Sequence, residues 1–178
     1  MTDLVVLQSL SYTAGAISVV LGVIYYAINL RETTRNRRVT LTTNLMQSLV
    51  SLDGIRRYRE LMAMQWSDFD DFLSKYDSQV NPENWNLRNL YWTTFEVLGL
   101  QYKSRLIDFD TLYATCNILA PTMWKKFKPI IYEYRKRGVY NELYLSNFEY
   151  LANEIVKIIE KRAPSFDSSS SYLRAPIK

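Results

Sequence analysis

The chain has 178 residues, of which 48% are hydrophobic, so it is long enough for one compact domain plus an additional segment. Its formal net charge of +4 falls short of the strongly basic character of a dedicated nucleic-acid binder, and we expect no nucleic-acid partner. There is no histidine and only one cysteine, Cys116, which excludes an intrachain disulfide, a Cys-His catalytic dyad and every histidine-containing metal site.

The N-terminal region carries a long apolar stretch. No charged residue lies between Asp3 and Arg31, and residues 7–30 are numerous enough, at about 1.5 Å each, to cross a hydrocarbon layer of about 30 Å. A buried helix of a soluble protein usually has a polar stripe, and this stretch has none. A cleavable signal peptide carries positive charge before its apolar run, whereas here an acid stands there. The pattern predicts one transmembrane helix that stays in the mature protein.

Positive charge after the apolar stretch predicts its orientation. The arginines that crowd this flank are Arg31, Arg35, Arg37 and Arg38. Because cytoplasmic flanks are rich in Lys and Arg, we expect residues 1–6 outside the cell membrane and everything after residue 30 in the cytoplasm. Tyr25 and Tyr26 lie about a turn before the first arginine, where an aromatic belt at the inner interface is expected. Membrane lipids are the first expected partner.

Small residues recur along one face of the predicted span, at Ser11, Gly15, Ser18 and Gly22. In lipid, small side chains let two helix backbones approach and gain dispersion contacts. The face therefore fits a homo-oligomer or docking on another membrane subunit. Small residues are also common in transmembrane helices of every kind, so ordinary composition is the alternative interpretation.

The remainder of the chain reads as helical. No Gly or Pro interrupts residues 23–53, so we expect a juxtamembrane helical extension over 31–54 that ends near Gly54. A cytoplasmic α-helical domain is predicted for 55–162, and a serine-rich, aperiodic tail at 163–178 is expected to be disordered. No hairpin dipeptide or sustained alternation is present, so the fold class is all-α, a single N-terminal transmembrane helix followed by a cytoplasmic helical bundle.

Several sequence signals predict which residues of the domain form its core and where its helices begin and end. The clearest core stripe recurs at Leu87, Tyr91, Phe95, Leu98 and Tyr102. Ser67 is expected as an N-cap, Pro82 and Pro121 at first helical positions, and Ser146 with Glu149 as a capping box. A kink at Pro129 and a stop at Gly138 are expected in the fifth helix of the domain.

Two Asp-x-Asp pairs, Asp68 with Asp70 and Asp108 with Asp110, have the spacing of cation ligands. Both stand where helices begin, and aspartate is favoured there for capping alone. Cys116 lies in an apolar helix without a base and is expected to be a small core residue. We therefore predict no metal ligand, no cofactor and no catalytic residue.

Three carboxylates keep an enzymatic alternative open. Glu96 lies on a strongly apolar helix, where it is expected to point outward or to pair with an arginine such as Arg135. A carboxylate-dependent enzyme would need Glu96, Asp108 and Glu149 to converge in a pocket with perturbed pKa values.

A second basic surface comprises Trp124, Lys125, Lys126, Lys128, Arg135, Lys136 and Arg137. Such a run is usually a solvated face. On a domain tethered beside the cytoplasmic leaflet, it could also contact anionic lipid.

Scattered positions of the domain resemble a group of small, uncharacterised prokaryotic proteins. They are Phe95-Glu96-x-Leu98-Gly99, Ile107-Asp108, Tyr113, Trp124, Pro129, Arg135 and Phe148-Glu149-x-Leu151. The resemblance implies one N-terminal span and a helical cytosolic domain with no assigned activity. It adds no catalytic residue.

These observations favour a membrane-anchored interaction or scaffold protein, or an accessory subunit of a membrane complex. The alternatives are a membrane-anchored carboxylate-dependent enzyme and an anionic-lipid-binding cytoplasmic module. We identify no small-molecule substrate.

Overall fold

A computed structural model of the chain describes residues 2–163, with the backbone alone at positions 2, 3, 35, 37–39, 41, 42, 45, 46, 48 and 115. Over that range the protein is all-α, as predicted, and has no strand. The helices are α1 (Thr2–Val50), α2 (Leu52–Ala63), α3 (Phe69–Tyr76), α4 (Pro82–Lys103), α5 (Phe109–Cys116), α6 (Leu119–Lys136) and α7 (Ser146–Arg162). The predicted tail lies, from residue 164 onward, outside the described residues.

The chain divides into two compact units. The first ends at Leu41 and contains the N-terminal part of α1, and the second begins at Thr42 and contains the helical domain.

Helix α1 ends at Val50, before the expected stop at Gly54. Ser51 has an extended backbone, and its hydroxyl accepts the N–H of Gly54 at 2.9 Å, so it caps a new helix, α2. Gly54 is instead a buried residue of that helix, and its carbonyl accepts a hydrogen bond from the Tyr91 hydroxyl of α4. The expected breaker is therefore a packing residue.

The N-cap of α3 is Asp68 and not Ser67. The Asp68 carboxylate accepts the Asp71 N–H at 2.8 Å, while the Ser67 N–H donates to the Asp71 carboxylate at 2.9 Å. Serine is also a favoured N-cap residue, but here Asp68 is the N-cap because its side chain accepts the third N–H of the helix.

Helix α6 begins at Leu119, which puts Pro121 in the first turn, where a missing N–H costs little. The helix runs on through Pro129 to Lys136. Gly138, at φ +68°, then ends it: the N–H of Gly138 donates to Arg135 and the N–H of Val139 donates to Tyr134. The prediction of Gly138 as the stop is confirmed.

The expected capping box of α7 does not form. Leu145, the residue before the helix, has a left-handed backbone with φ 58°, and α7 has no side-chain cap of its own. The Ser146 N–H donates to the Leu143 carbonyl, and Glu149 is drawn to α6. Tertiary contacts have replaced the local motif.

The core of the domain is built around α4, which forms its most extensive contact with α7. The predicted stripe is confirmed at Tyr91, Phe95 and Leu98, which are buried, while Leu87 and Tyr102 pack at its edge. Phe95 stacks on Phe148 of α7, with ring centroids 5.1 Å apart.

Candidate functional site

The N-terminal segment of α1 has the dimensions of a membrane span. The helical segment Leu4–Thr34 is long and apolar enough to cross a membrane, and all its side chains are exposed. Its 31 residues measure about 46 Å, which exceeds the hydrocarbon layer of about 30 Å. An N-terminal signal sequence meets the same criteria of length and composition.

The small-residue face lies within this segment, at Ser11, Gly15, Ser18 and Gly22. A Cβ added to either glycine would meet no atom within 4 Å. The two serine hydroxyls donate to backbone carbonyls four residues earlier, at 3.0 and 2.8 Å. The face is therefore sterically open, and its hydroxyl groups are satisfied within the helix itself.

The predicted interface residues follow on the same helix. Tyr25, Tyr26 and Arg31 are exposed. Arg35, Arg37 and Arg38 lie on the helical backbone of α1, and their side chains belong to the undescribed positions.

The structure divides the second basic surface into inner and outer residues. Trp124 is only 4% exposed and packs against Phe148, so it does not reach the surface. Lys126 donates to the Met64 carbonyl at 2.7 Å and lies over the Trp66 ring, and burial lowers its pKa. Both residues hold the domain together.

The other basic residues of this surface have different surroundings. Arg137 and Lys136 both pair with Glu133, and Arg137 also reaches Asp70 of α3 at 2.7 Å. Lys128 lies over the Tyr132 ring, and Lys125 is exposed. Lys125, Lys128, Lys136 and Arg137 thus remain at the surface of α6, whereas Trp124 and Lys126 are drawn into the domain.

The three carboxylates of the enzymatic alternative each accept hydrogen bonds within the domain. Glu96 accepts the backbone N–H of Phe148 at 2.7 Å and the side-chain amide of Asn147 at 2.8 Å. Asp108 caps α5 by accepting the Thr111 N–H at 2.8 Å, and this hydrogen bond lowers its pKa. The expected pairing of Glu96 with Arg135 is absent, because Glu149 takes that arginine.

Glu149 belongs to a compact polar cluster between α6 and α7. Its carboxylate accepts from Arg135 at 2.8 Å and from the Tyr132 hydroxyl at 2.5 Å. Burial raises the pKa of Glu149, but the hydrogen bonds from Tyr132 and Arg135 lower it more, so its pKa lies below the ordinary value. Arg135 also donates to the Tyr144 carbonyl, which fixes the loop before α7.

The Asp-x-Asp pairs are also structural. Asp68 and Asp108 are N-caps, and their partners Asp70 and Asp110 pair with Arg137 and Arg162. Among the residues that the structure describes, no group of three or more Cys, Asp or Glu side chains could hold a metal ion. Cys116 is buried, and burial raises its pKa to about 12.

Sequence reasoning missed Arg88, which is 1% exposed at the centre of the domain. Its guanidinium donates to the Tyr76 carbonyl at the end of α3 and to Asn84, and it lies over the rings of Phe72 and Trp92. A cation at a helix C-terminus is favoured by the helix dipole. Arg88 lies four residues before Trp92 and beside the α4 core stripe, and this helical spacing is the sequence signal that could have indicated its burial.

Sequence reasoning also missed the outward side of α2. We define the α2 outer face as the residues that line a groove of about 650 Å³, namely Leu52, Ile55, Arg56, Arg59, Glu60 and Ala63. Leu52 is 87% exposed and Ile55 is 40% exposed. The opposite side of α2 is buried through Gly54 and Leu61, so apolar residues lie on both sides of one short helix.

Comparison with protein families gives one match, to a domain of unknown function, DUF4760, over residues 14–155. The chain belongs to the DUF4760 family. Comparison with curated proteins gives no match, and comparison with solved structures gives none. The resemblance to an uncharacterised family is thereby confirmed.

The DUF4760 match covers most of the apolar helix and the domain as far as Ile155 of α7. It therefore includes both sides of the Glu96–Phe148 contact and of the Arg135–Glu149 pair. Within this family member, the residues that carried the resemblance meet largely at the N-terminus of α7.

Proposed function

We propose that this DUF4760 protein is a membrane-anchored interaction or scaffold subunit. Its apolar helix spans the membrane over residues 7–30, the N-terminus lies outside, and the helical domain faces the cytoplasm. The observation that carries the proposal is the segment Leu4–Thr34, which is long and apolar enough to span a membrane and buries none of its side chains. Such a surface is costly in water and is stable in lipid.

The orientation rests on Arg31 and the three arginines that follow it, because no basic residue precedes the apolar stretch. The domain contributes surface in this proposal, since Glu96 and Asp108 cap helices and Glu149 pairs with Arg135.

The topology is tested with single cysteines at Thr2 and at the exposed Glu142, labelled from outside intact cells with a membrane-impermeant maleimide. We expect Thr2→Cys to react and Glu142→Cys to react only after lysis. Alkaline carbonate should leave the protein in the membrane fraction. Labelling of Glu142→Cys in intact cells, or release by carbonate, would contradict the proposal.

We also propose that the anchor assembles with a second copy or another membrane subunit through the small-residue face. The open surface at Gly15 and Gly22 supports close approach of another helix. The double variant Gly15→Ile with Gly22→Ile should separate the helices and keep the segment apolar. Native mass spectrometry in mild detergent measures the loss of partners, and Val19→Ile with Val20→Ile provides a control. A monomeric wild type would remove this part of the proposal.

A further inference from the structure

We propose that the α2 outer face binds the surface of an anionic phospholipid bilayer. The inference rests on the proposed membrane anchor and adds a second contact with the same membrane. It moves the lipid-binding alternative from the α6 basic surface to α2.

The first argument is apolar exposure. Leu52 and Ile55 are 87% and 40% exposed, and Ala63 lines the same groove of about 650 Å³. These positions recur at spacings of three and eight residues, which places them along one side of α2. Apolar side chains on one side of a helix lose contact with water when that side enters the boundary between headgroups and acyl chains.

The second argument is charge. Arg56 and Arg59 belong to the same face, and their guanidinium groups match the phosphates of lipid headgroups. Arg59 makes no ion pair with any residue that the structure describes. Arg56 pairs with Asp53 at 3.5 Å, but Arg57 pairs with the same carboxylate at the shorter distance of 2.7 Å. The side chains of Arg56 and Arg57 are both at least half exposed. Glu60 is the single acid among the described residues that line the groove.

The third argument is position in the chain. Leu52 lies 22 residues after the end of the proposed span at residue 30, and the chain between them is helical as far as Val50. At about 1.5 Å per residue this helical connection measures about 30 Å, and it keeps the membrane surface at a high local concentration around α2. A weak interfacial contact is then sufficient for binding.

Two other exposed apolar residues, Leu143 and Val139, lack this combination. Leu143 and Val139 are exposed near the end of α6, but their loop carries the acid Glu142, and the nearby Arg137 is already paired with two acids. The tryptophan of the α6 basic surface cannot insert into a bilayer, because Trp124 is only 4% exposed. An anionic bilayer is therefore the occupant that fits α2 best.

The experiment uses the full chain in nanodiscs, with Ile55→Cys carrying an environment-sensitive fluorophore. Cys116 is buried, and the unsubstituted parent measures its background labelling. Phosphatidylcholine nanodiscs are compared with nanodiscs that contain phosphatidylglycerol as well. We expect a blue shift of the emission only with phosphatidylglycerol, and we expect high salt to reverse it.

Arg56→Gln with Arg59→Gln should abolish the shift. Lys125→Gln with Lys136→Gln removes the same charge from α6 and should leave the shift unchanged. An equal shift in both lipids would indicate a protein contact or a second copy and would overturn the inference, as would a shift that survives loss of both arginines. Carbonate extraction of the same samples reports insertion of the anchor separately, so a missing shift in an inserted protein contradicts the α2 inference alone.

Discussion

The backbone N–H of Phe148 donates to the Glu96 carboxylate across 2.7 Å, so a side chain of α4 supplies the cap that α7 lacks. The other carboxylate oxygen holds the Asn147 amide at 2.8 Å. A negative charge at this place also complements the positive end of the α7 dipole. One residue thus fixes both the start of α7 and its position on α4.

The Glu96 contact predicts a graded loss of stability. Glu96→Ala should lower the free energy of unfolding by about 1–2 kcal/mol, because an N-cap acceptor is lost and the Phe148 N–H is left without its partner. Glu96→Gln keeps an acceptor and should lose less. Urea denaturation of the full chain in mild detergent, followed by circular dichroism, measures both. Equal losses for the two variants would show that the cap is not the origin of the effect.

We predict that any side chain at Gly99 clashes with α7 and destabilises the domain. A Cβ on Gly99 would lie 2.1 Å from the Asn147 carbonyl oxygen and 2.6 Å from its carbon, so α7 would have to move. Gly99→Ala gains about 1 kcal/mol of helix propensity, but overpacking against backbone should cost about 3 kcal/mol, and the cost prevails. Thermal unfolding should therefore begin at a lower temperature.

We predict that the ion pair between Glu149 and Arg135 makes the stability of the domain depend on pH. The folded pKa of Glu149 is depressed, so the Arg135 pair contributes stability above the unfolded pKa of about 4.3 and loses it as the pH falls through the lower folded pKa. Glu149→Gln should unfold more easily at neutral pH by about 1–2 kcal/mol and should show a flatter acid limb.

Urea midpoints measured from neutral pH to acid test this. Asp110→Asn removes a more exposed ion pair, with Arg162, and should change stability by roughly 0–1 kcal/mol. A Glu149→Gln variant with the same acid limb as wild type would contradict the assigned role.

Ionisation of Tyr58 should contribute to a loss of stability at high pH. Its hydroxyl bonds to Thr122 and to the Leu119 carbonyl, and burial raises its pKa to about 12. A folded pKa above the unfolded value of about 10 means that this stability is complete below pH 10 and is lost as the pH rises towards 12.

Absorbance of tyrosinate, measured beside circular dichroism, checks the Tyr58 prediction. The difference between wild type and Tyr58→Phe isolates one phenol among the 14 tyrosines. Its ionisation should coincide with loss of helical signal. Ionisation near pH 10 in a still helical protein would contradict the prediction.

Periodic features of this fold were readable from sequence, whereas contacts distant in sequence were not. Tyr91, Phe95 and Leu98 repeat at helical spacing, so their burial follows from the pattern alone. Glu96 accepts a hydrogen bond from Asn147, which lies 51 residues further along the chain. No local sequence motif encodes a contact at that separation.

The failed capping box shows the same limit. Ser146 and Glu149 have the right spacing, but the left-handed backbone at Leu145 redirects the chain, and Arg135 competes for the carboxylate. A buried Leu145 with positive φ is an arrangement that local preference disfavours by about 1–2 kcal/mol, so only the assembled domain explains it. The α2 outer face was missed because burial of the opposite side could not be inferred from one short helix.

Dependence of α7 on a cap from α4 has a consequence for biosynthesis. Translation produces the apolar helix first and α7 last, so α4 waits with Phe95 and Leu98 uncovered until residues beyond 146 have left the ribosome. A nascent chain that stops before residue 146 lacks α7, so it cannot form the α4–α7 pair, which is the most extensive helix contact of the domain. Completion of the domain fold is therefore a late event that follows release of the C-terminal helix.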